Sequence, residues 1–410
     1  MHNTIINKPL VSVVIPVYNG SNYLKDAIDS VLLQTYKNIE LIIVNDGSTD
    51  GGATRDLANS YGEKIRYFEK DNGGTASALN YGIRKMKGQY FVWLSHDDTM
   101  HPDRIMKQLE RMRENNVRVA ICSGFYTDGK REQILKASQE DEYEIYAGIA
   151  KIVFGSISFA GVMMERSIFT CYGLFDEKLS TTQDVEYLFR ICKEKTVYMN
   201  EALFTYRIHD EQGTKTNHMY AKNADSMLYY MLQNISDEDM ESVFGSKETF
   251  AYRLLVKSIL RRNKSATYCL DLLASVEFKT YKIENSGRLN NVWIFGAGIR
   301  GKRLLFDLRC RGIIVKGFLD NDADKWGKMI DGIVCKGLQE YDEGLIIISA
   351  NPAYEDEIAR DIESYGIKEY WTHGKYDDVF QRTVPAYLDI MKTVSLYRNE
   401  NWIEIGDFCK

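Results

Sequence analysis

Two apolar runs, each closed by a polar cluster, constrain this chain more than anything else in it. The first reads Val11-Ser-Val-Val-Ile-Pro-Val-Tyr-Asn19 and the second Leu41-Ile-Ile-Val-Asn-Asp-Gly-Ser-Thr-Asp50. Between them Leu24, Ala27, Ile28, Val31 and Leu32 recur at helical spacing, which predicts an amphipathic helix over 22–34. Continuous apolar strands separated by a helix predict a parallel pair buried on both faces. Open parallel sheets bind ligands outside the carboxyl ends of their strands. The polar ends at Pro16, Val17, Tyr18 and Asn19, and at Asn45–Asp50, are therefore the first place to look for a site.

The alternation continues. Ala53–Tyr61 and Thr75–Lys87 read as helices, the second ended by Gly88. Ile65–Phe68 and Tyr90–Leu94 read as strands, and Leu94 runs into Ser95-His-Asp-Asp98. The expected class is α/β: a mostly parallel sheet flanked by helices over 1–218. Residues 219–287 carry helical periodicity without strands (Met227, Leu228, Met231, Leu232; Leu254, Leu255, Ile259, Leu260) and read as a helical connector. A small Rossmann-like α/β domain is expected over 288–375. A helical tail over 376–410 would pack on a neighbour, leaving a homo-oligomer open.

The formal charge of −6 argues against a nucleic-acid binder, which needs cations against phosphates. The seven cysteines lack metal-type spacing, and their odd number points to a reducing compartment. No run approaches the roughly 18 apolar residues of a membrane span. The expectation is a cytoplasmic protein, with membrane contact only peripheral, at the inner face of the cell membrane.

Several stretches carry chemistry. Tyr18 can pack on a ring, and the carboxylate of Asp46 can accept from a pyrimidine N–H. Gly47 permits the sharp turn between them. The other reading is that Asp46 and Ser48 only cap the following helix. Asn72-Gly-Gly74 opens a helix where a phosphate could approach backbone N–H groups; the plain alternative is a glycine-rich turn with an N-cap. Gly296-Ala-Gly298-Ile-Arg-Gly301 follows a strand and opens a helix, as a dinucleotide fingerprint does. Asp320 ends the next strand where a ribose-binding acid would stand. That gives a candidate second nucleotide site at Gly296, Gly298, Gly301 and Asp320. NAD chemistry is not expected there, because the domain is only half a dinucleotide fold and no Tyr-Lys pair follows at helical spacing. A structural role is the other reading.

Taken in order, Pro16-Val-Tyr-Asn19, Asn45-Asp-Gly-Ser48, Leu94-Ser-His-Asp-Asp98, Thr182-Gln-Asp184 and Tyr206-Arg-Ile-His209 resemble the family 2 glycosyltransferases. These are GT-A enzymes that move sugars from nucleotide-sugars, and the resemblance covers about half the chain, over 9–215. It implies a nucleotide-sugar donor, most often a UDP-sugar, and a divalent cation, Mn2+ or Mg2+. It places the metal on Asp97, with His209 as a second ligand. Asn72, Gly74, His96, Asp98 and Arg207 fall on the nucleotide side, with Arg207 toward the diphosphate. Asp184 becomes the base that takes the acceptor proton in an inverting transfer, and a helix N-cap is its simpler role. Ser156–Gly161 resembles an acceptor-side strand. Three positions depart from the family pattern: Ser95 where an acid is usual, Leu79 where an arginine often stands, and Gln183 in place of glutamate.

The implied setting is assembly of surface polysaccharide or glycoconjugate in bacteria, with a glycan, lipid-linked or protein acceptor. Two rival readings remain at this level. One is a bifunctional nucleotide-sugar enzyme with an NAD-dependent carboxyl-terminal domain. The other is a non-catalytic nucleotide-sugar-binding scaffold, which the three departures favour.

Overall fold

The computed structural model describes residues 8–127, 132–135, 152, 157–258, 264–274, 289, 291–350, 354–372, 374–376, 389–390 and 393–394. Ser156, much of the 125–160 loop and most of the 376–410 tail lie outside the described residues. Two compact units divide the chain, Met1–Met227 and Leu228–Lys410.

The first unit opens on β1 (Val11–Val17), α1 (Leu24–Leu32), β2 (Ile39–Asn45), α2 (Ala53–Asn59), β3 (Arg66–Glu69), α3 (Gly74–Lys85) and β4 (Tyr90–Trp93). Every residue of β1 is buried, as a strand covered on both faces must be. The four strands pair in parallel in the order β3-β2-β1-β4. The helix expected to reach Lys87 stops at Lys85. The reason lies far away in sequence: the backbone N–H groups of Lys87 and Gly88 donate to the Glu40 carboxylate instead of continuing the helical ladder.

Beyond β4 the sheet changes sense. It adds β5 (Thr99–Met100), β6 (Val119–Thr127), β7 (Glu132–Leu135), β8 (Val162–Glu165) and β9 (Thr196–Arg207), with α4 (Arg104–Glu114), α5 (Ser167–Tyr172) and α6 (Gln183–Arg190) among them. β8 runs antiparallel to β4 and β6, while β6 and β9 are parallel. The core under β1 and β2 is aliphatic, built from residues such as Val13, Ile15, Leu24, Ile28, Leu41 and Ile43. Full burial of each stabilises the fold by roughly 1.5–3 kcal/mol before entropy is counted.

Among the described residues a short α7 (Gly213–Thr216) lies in the first unit, α8 (Tyr220–Asn234) crosses the division at Leu228, and α9 (Asp237–Phe244), α10 (Lys247–Ser258) and α11 (Lys264–Ala274) follow in the second. A second sheet follows, built from β10 (Val292–Phe295), β11 (Val315–Leu319), β12 (Met329–Ile330), β13 (Ile333–Lys336), β14 (Leu345–Ile348) and β15 (Tyr370–Trp371). Its order is β12-β13-β11-β10-β14-β15. Two helices flank it, α12 (Ile299–Cys310) and α13 (Glu355–Ser364). Ile294 and Ile347 pack toward Leu304, Leu305 and Leu308 of α12, while Phe295, Ile346 and Ile348 pack toward Ile358 and Ile362 of α13. α12 begins at Ile299, so Gly301 lies inside its first turn. A Cβ at Gly301 would sit 1.8 Å from the Gly296 carbonyl oxygen.

Helix propensity alone would make Gly301→Ala stabilising by about 1 kcal/mol. The backbone clash reverses the sign, because that oxygen cannot swing away as a side chain would. Gly301→Ala is expected to destabilise this unit by about 3 kcal/mol, read by chemical denaturation.

Candidate active site

The register fixes which loops meet. β1 and β2 align Val17 with Asn45, and β1 and β4 align Val14 with Trp93. Leu94 then continues β4, donating its N–H to the Val14 carbonyl, and Asp46 donates its N–H to Val17. Tyr18–Asn19, Asp46 and Ser95–Asp98 therefore emerge along one edge of the sheet.

Asn19 and the Ser48–Thr49 turn lock together. The Asn19 N–H donates to Ser48 Oγ at 2.8 Å, and the Thr49 N–H donates to Asn19 Oδ1 at 2.7 Å. Asn19 takes a left-handed φ of 50° to do so, a conformation asparagine tolerates better than most residues. Tyr18 is left 45% exposed beside this clasp.

Asp46 is nearly buried, and its carboxylate accepts from Lys70 Nζ at 2.6 Å and from the Gly74 N–H at 2.7 Å. The Gly73 N–H reaches both of its oxygens. Asp46 thus caps α3. The helix that follows it directly, α2, is served instead by Asp50, whose Oδ2 accepts from Thr54 N–H and Oγ. The N–H groups at Gly74, read from the sequence as a phosphate cradle, already hold the Asp46 carboxylate. Asn72 is exposed and borders the turn made by Gly47, where an added Cβ would lie 2.7 Å from the Asn72 backbone nitrogen.

The Ser95–Asp98 turn meets the end of β9 through the short antiparallel pairing of Thr99 with Thr205. Two residues out along that ladder, Asp97 stands level with Arg207. Arg207 donates its own N–H to Asp98 Oδ1 at 3.0 Å and its Nε to the Asp97 carbonyl at 3.1 Å. Its Nη2 reaches Asp26 at 2.8 Å, and its guanidinium stacks 4.7 Å from the Tyr23 ring. Asp98 therefore accepts from a strand and does not cap a helix. It is 1% exposed. Burial, and then the charge of Asp97, push its carboxyl well above the usual range. His96 packs against Gly20, so closely that a Cβ there would lie 2.3 Å from its ring. Burial lowers its pKa.

The side chains of Asp97 and His209 converge, with Oδ2 and Nε2 3.0 Å apart. His209 Nδ1 is buried without a partner among the described residues. Among those residues no three His, Cys, Asp or Glu side chains gather to hold a metal. The pair offers a carboxylate oxygen and an imidazole nitrogen, a donor set that would suit a divalent cation such as Mn2+. The remaining positions would fall to a ligand's oxygens and to water.

Asp184 lies in the first turn of α6, whose N-cap is Thr182 with a left-handed φ of 66°. Desolvation raises its pKa, opposed only by the backbone N–H groups of Val185 and of Asp184 itself. Glu186 is spent on an ion pair with Arg190. An aromatic stack ties α6 to the end of β4: Trp93 to Phe159 at 5.3 Å, Phe159 to Phe175 at 5.5 Å, and Phe175 to Tyr187 at 4.6 Å.

Sequence reasoning missed several supporting residues. Arg104 is fully buried and donates to Gln108 and the Val162 carbonyl. Gln212 donates to the Arg207 carbonyl at 2.6 Å and accepts from the His209 N–H, fixing the loop between them. Lys70 pairs with Asp46 from three residues before Gly73. Only Lys70 had a sequence signal, a lone cation just ahead of the glycine turn.

In the second unit, Asp320 accepts from the Ala297 N–H at 2.8 Å and from Lys325 at 3.1 Å. The carboxylate expected to hold a ribose is thus tied to the glycine turn itself. Gly298 borders open space, whereas Gly296 and Gly301 do not.

These features define an α/β protein with polar and charged side chains gathered at the strand ends, and comparison with known proteins gives its family. Residues 12–173 match glycosyl transferase family 2. An uncharacterized glycosyltransferase of Rickettsia prowazekii is 37% identical over 264 residues, 63% of this chain and 82% of that protein. One from Rickettsia bellii is 40% identical over 251 residues, 60% of this chain but 36% of that longer protein, so this chain spans little more than a third of that relative. The chain belongs to the family 2 glycosyltransferases. Residues 288–372 match C2185-like, N-terminal. A crystal structure of S. aureus TarS 1–349 with UDP-GlcNAc resembles it at 14% identity and a TM-score of 0.49, covering 61% of this chain and 72% of that one. Among the described residues no helix is long and apolar enough to cross a membrane.

Proposed function

We propose that this protein transfers a sugar with inversion from a nucleotide-sugar, a UDP-sugar first, to a hydroxyl of a glycan, lipid-linked or protein acceptor. The observation that carries the reading is the convergence of Asp97 and His209, far apart in sequence, beside the edge that bears Asp46. Tyr18 offers the base a ring face. Asp46 and Lys70 set an acceptor and a donor 2.6 Å apart. A pyrimidine N–H reaching this edge would share the Asp46 carboxylate with Lys70 and with the Gly73 and Gly74 N–H groups.

Asp97 and His209 would hold Mn2+ or Mg2+, which supplies charge against the diphosphate as it leaves. Arg207 and Gln212 fix the two ligands in place from behind. Asp184 takes the proton of the attacking hydroxyl. Assembly of a bacterial surface glycan, in the cytoplasm or at the inner face of its membrane, is the setting this chemistry suits.

Calorimetry on the full chain tests the donor site. UDP should bind at least about tenfold tighter with Mn2+ present, and Asp97→Asn and His209→Ala should each erase that gain. Equal UDP affinity with and without Mn2+ in the unaltered protein would remove the metal from the reading.

A further inference from the structure

α3 is held from both sides of the site. Its amino end is capped by Asp46, on the nucleotide side. Asn80, two turns further on, faces the other way. It is 1% exposed and makes three hydrogen bonds to the segment that leads into α6. Nδ2 donates to the Phe175 carbonyl at 2.9 Å and to Glu177 Oε1 at 2.8 Å, and Oδ1 accepts from the Phe175 N–H at 3.0 Å. One side chain thus pairs with both backbone groups of Phe175, as a neighbouring strand would. Among the described residues no strand pairs with Phe175, and the amide takes that place.

The fixed backbone aims a ring. Phe175 packs 4.6 Å from Tyr187 and 6.1 Å from Trp93. Tyr187 stands one helical turn after Asp184 and anchors α6 by donating to the Gly173 carbonyl at 2.9 Å. Trp93 is the last residue of β4, the strand that delivers Asp97. A continuous path therefore runs from Asn80 through Phe175 and Tyr187 to the helix of Asp184. A branch at Trp93 leads to the strand of the metal pair.

We propose that Asn80 is a positioning residue: it holds the Phe175 turn so that Asp184 faces the donor site at its working depth. This rests on the reading of Asp184 as the base. No contact of Asn80 with substrate is invoked. Without the amide, two buried backbone groups of Phe175 lose their partners, which the turn relieves by moving toward water. A displacement of about 1 Å at a reacting group can cost about 100-fold in rate.

The test uses the full chain, with UDP stoichiometry, UDP-sugar turnover and the pH profile of kcat measured together. Asn80→Ala should keep one UDP per chain with unchanged affinity and lose about 100-fold in kcat. The acid limb of kcat should move to lower pH, because Asp184 gains solvent when α6 shifts. Asn80→Asp should lose as much, since its carboxylate opposes Glu177. Adding Glu177→Gln should recover part of the rate, because the new amide can donate to the aspartate. A kcat loss matched by lost UDP stoichiometry, with the acid limb unmoved, would make Asn80 a residue of the fold alone and overturn the proposal. Unchanged kcat would overturn it too. Failure of the parent reading looks different: turnover that survives Asp184→Asn removes the base, whatever Asn80 does.

Discussion

Asp184→Asn should lower kcat about 1000-fold, the middle of the range for loss of a general base, while UDP affinity stays within about twofold. That fall corresponds to about 4 kcal/mol of transition-state stabilisation. The pH dependence gives the sign independently. A base works only when deprotonated, so kcat of the unaltered protein should fall as pH drops through the Asp184 pKa. Desolvation has raised that pKa, so the acid limb should lie above the ordinary carboxylate range, and the asparagine variant should lack it.

Stability moves the other way. The folded-state pKa lies above the unfolded one, so the contribution of Asp184 is present below the unfolded pKa. It is lost as pH rises through the folded pKa. Near neutral pH the desolvation of this partly exposed charge is a cost that asparagine avoids. The variant should therefore melt higher than the unaltered protein at pH 7 and converge with it in acid. Lost turnover in a better-folded protein is a signature that a damaged fold cannot produce. Full turnover with a flat stability difference would remove Asp184 from both roles.

How much of this was legible in the sequence follows from the range of each interaction. β1, α1 and β2 were readable because burial on both faces leaves a continuous apolar run and a clean helical period. Asp46, Asp97, Asp184 and His209 could be singled out as candidates because they fall in short ordered motifs. Their partners were not. Whether Asp46 caps α2 or α3 depends on a loop that returns Lys70 and Gly73 to it, and nothing local in Asn45–Asp50 says so. Asn80 gave no hint of Phe175, because that contact spans 95 residues. The helix end at Lys85 moved because Glu40, far away in sequence, takes the N–H groups of Lys87 and Gly88. Asp320 shows the limit of motif reading, since the spacing fits a ribose acid while the carboxylate is engaged by Ala297 and Lys325.

The largest stability effect should come from a residue with no part in the site. Asp307 on α12 is 2% exposed and accepts from Tyr252 at 2.6 Å, from Tyr376 at 2.7 Å and from Arg311 Nε at 2.8 Å. Burial alone would raise its pKa. The charges of Arg311 and Arg253 and the two phenol hydroxyls outweigh that and hold it below the usual value. Asp307→Ala would take the carboxylate away from the Arg311 guanidinium, itself 3% exposed, and from the two buried phenol hydroxyls that donate to it. A loss of about 3–5 kcal/mol is expected, as for other buried pairs broken on one side. The carboxylate joins α10, through Tyr252, to α12 and to Tyr376, so the loss should appear in both the helical and the sheet parts of this unit. The sign with pH follows from the lowered pKa: the stabilisation is present above the unfolded value, near 4, and is lost as pH falls through the folded one. Asp307→Leu with Arg311→Leu removes both charges at once and should cost less than Asp307→Ala, because the Arg311 guanidinium no longer stays buried beside a missing carboxylate. Equal losses in the single and double variants, measured by urea denaturation of the full chain, would mean that packing around Asp307, and not its charge, holds this unit together.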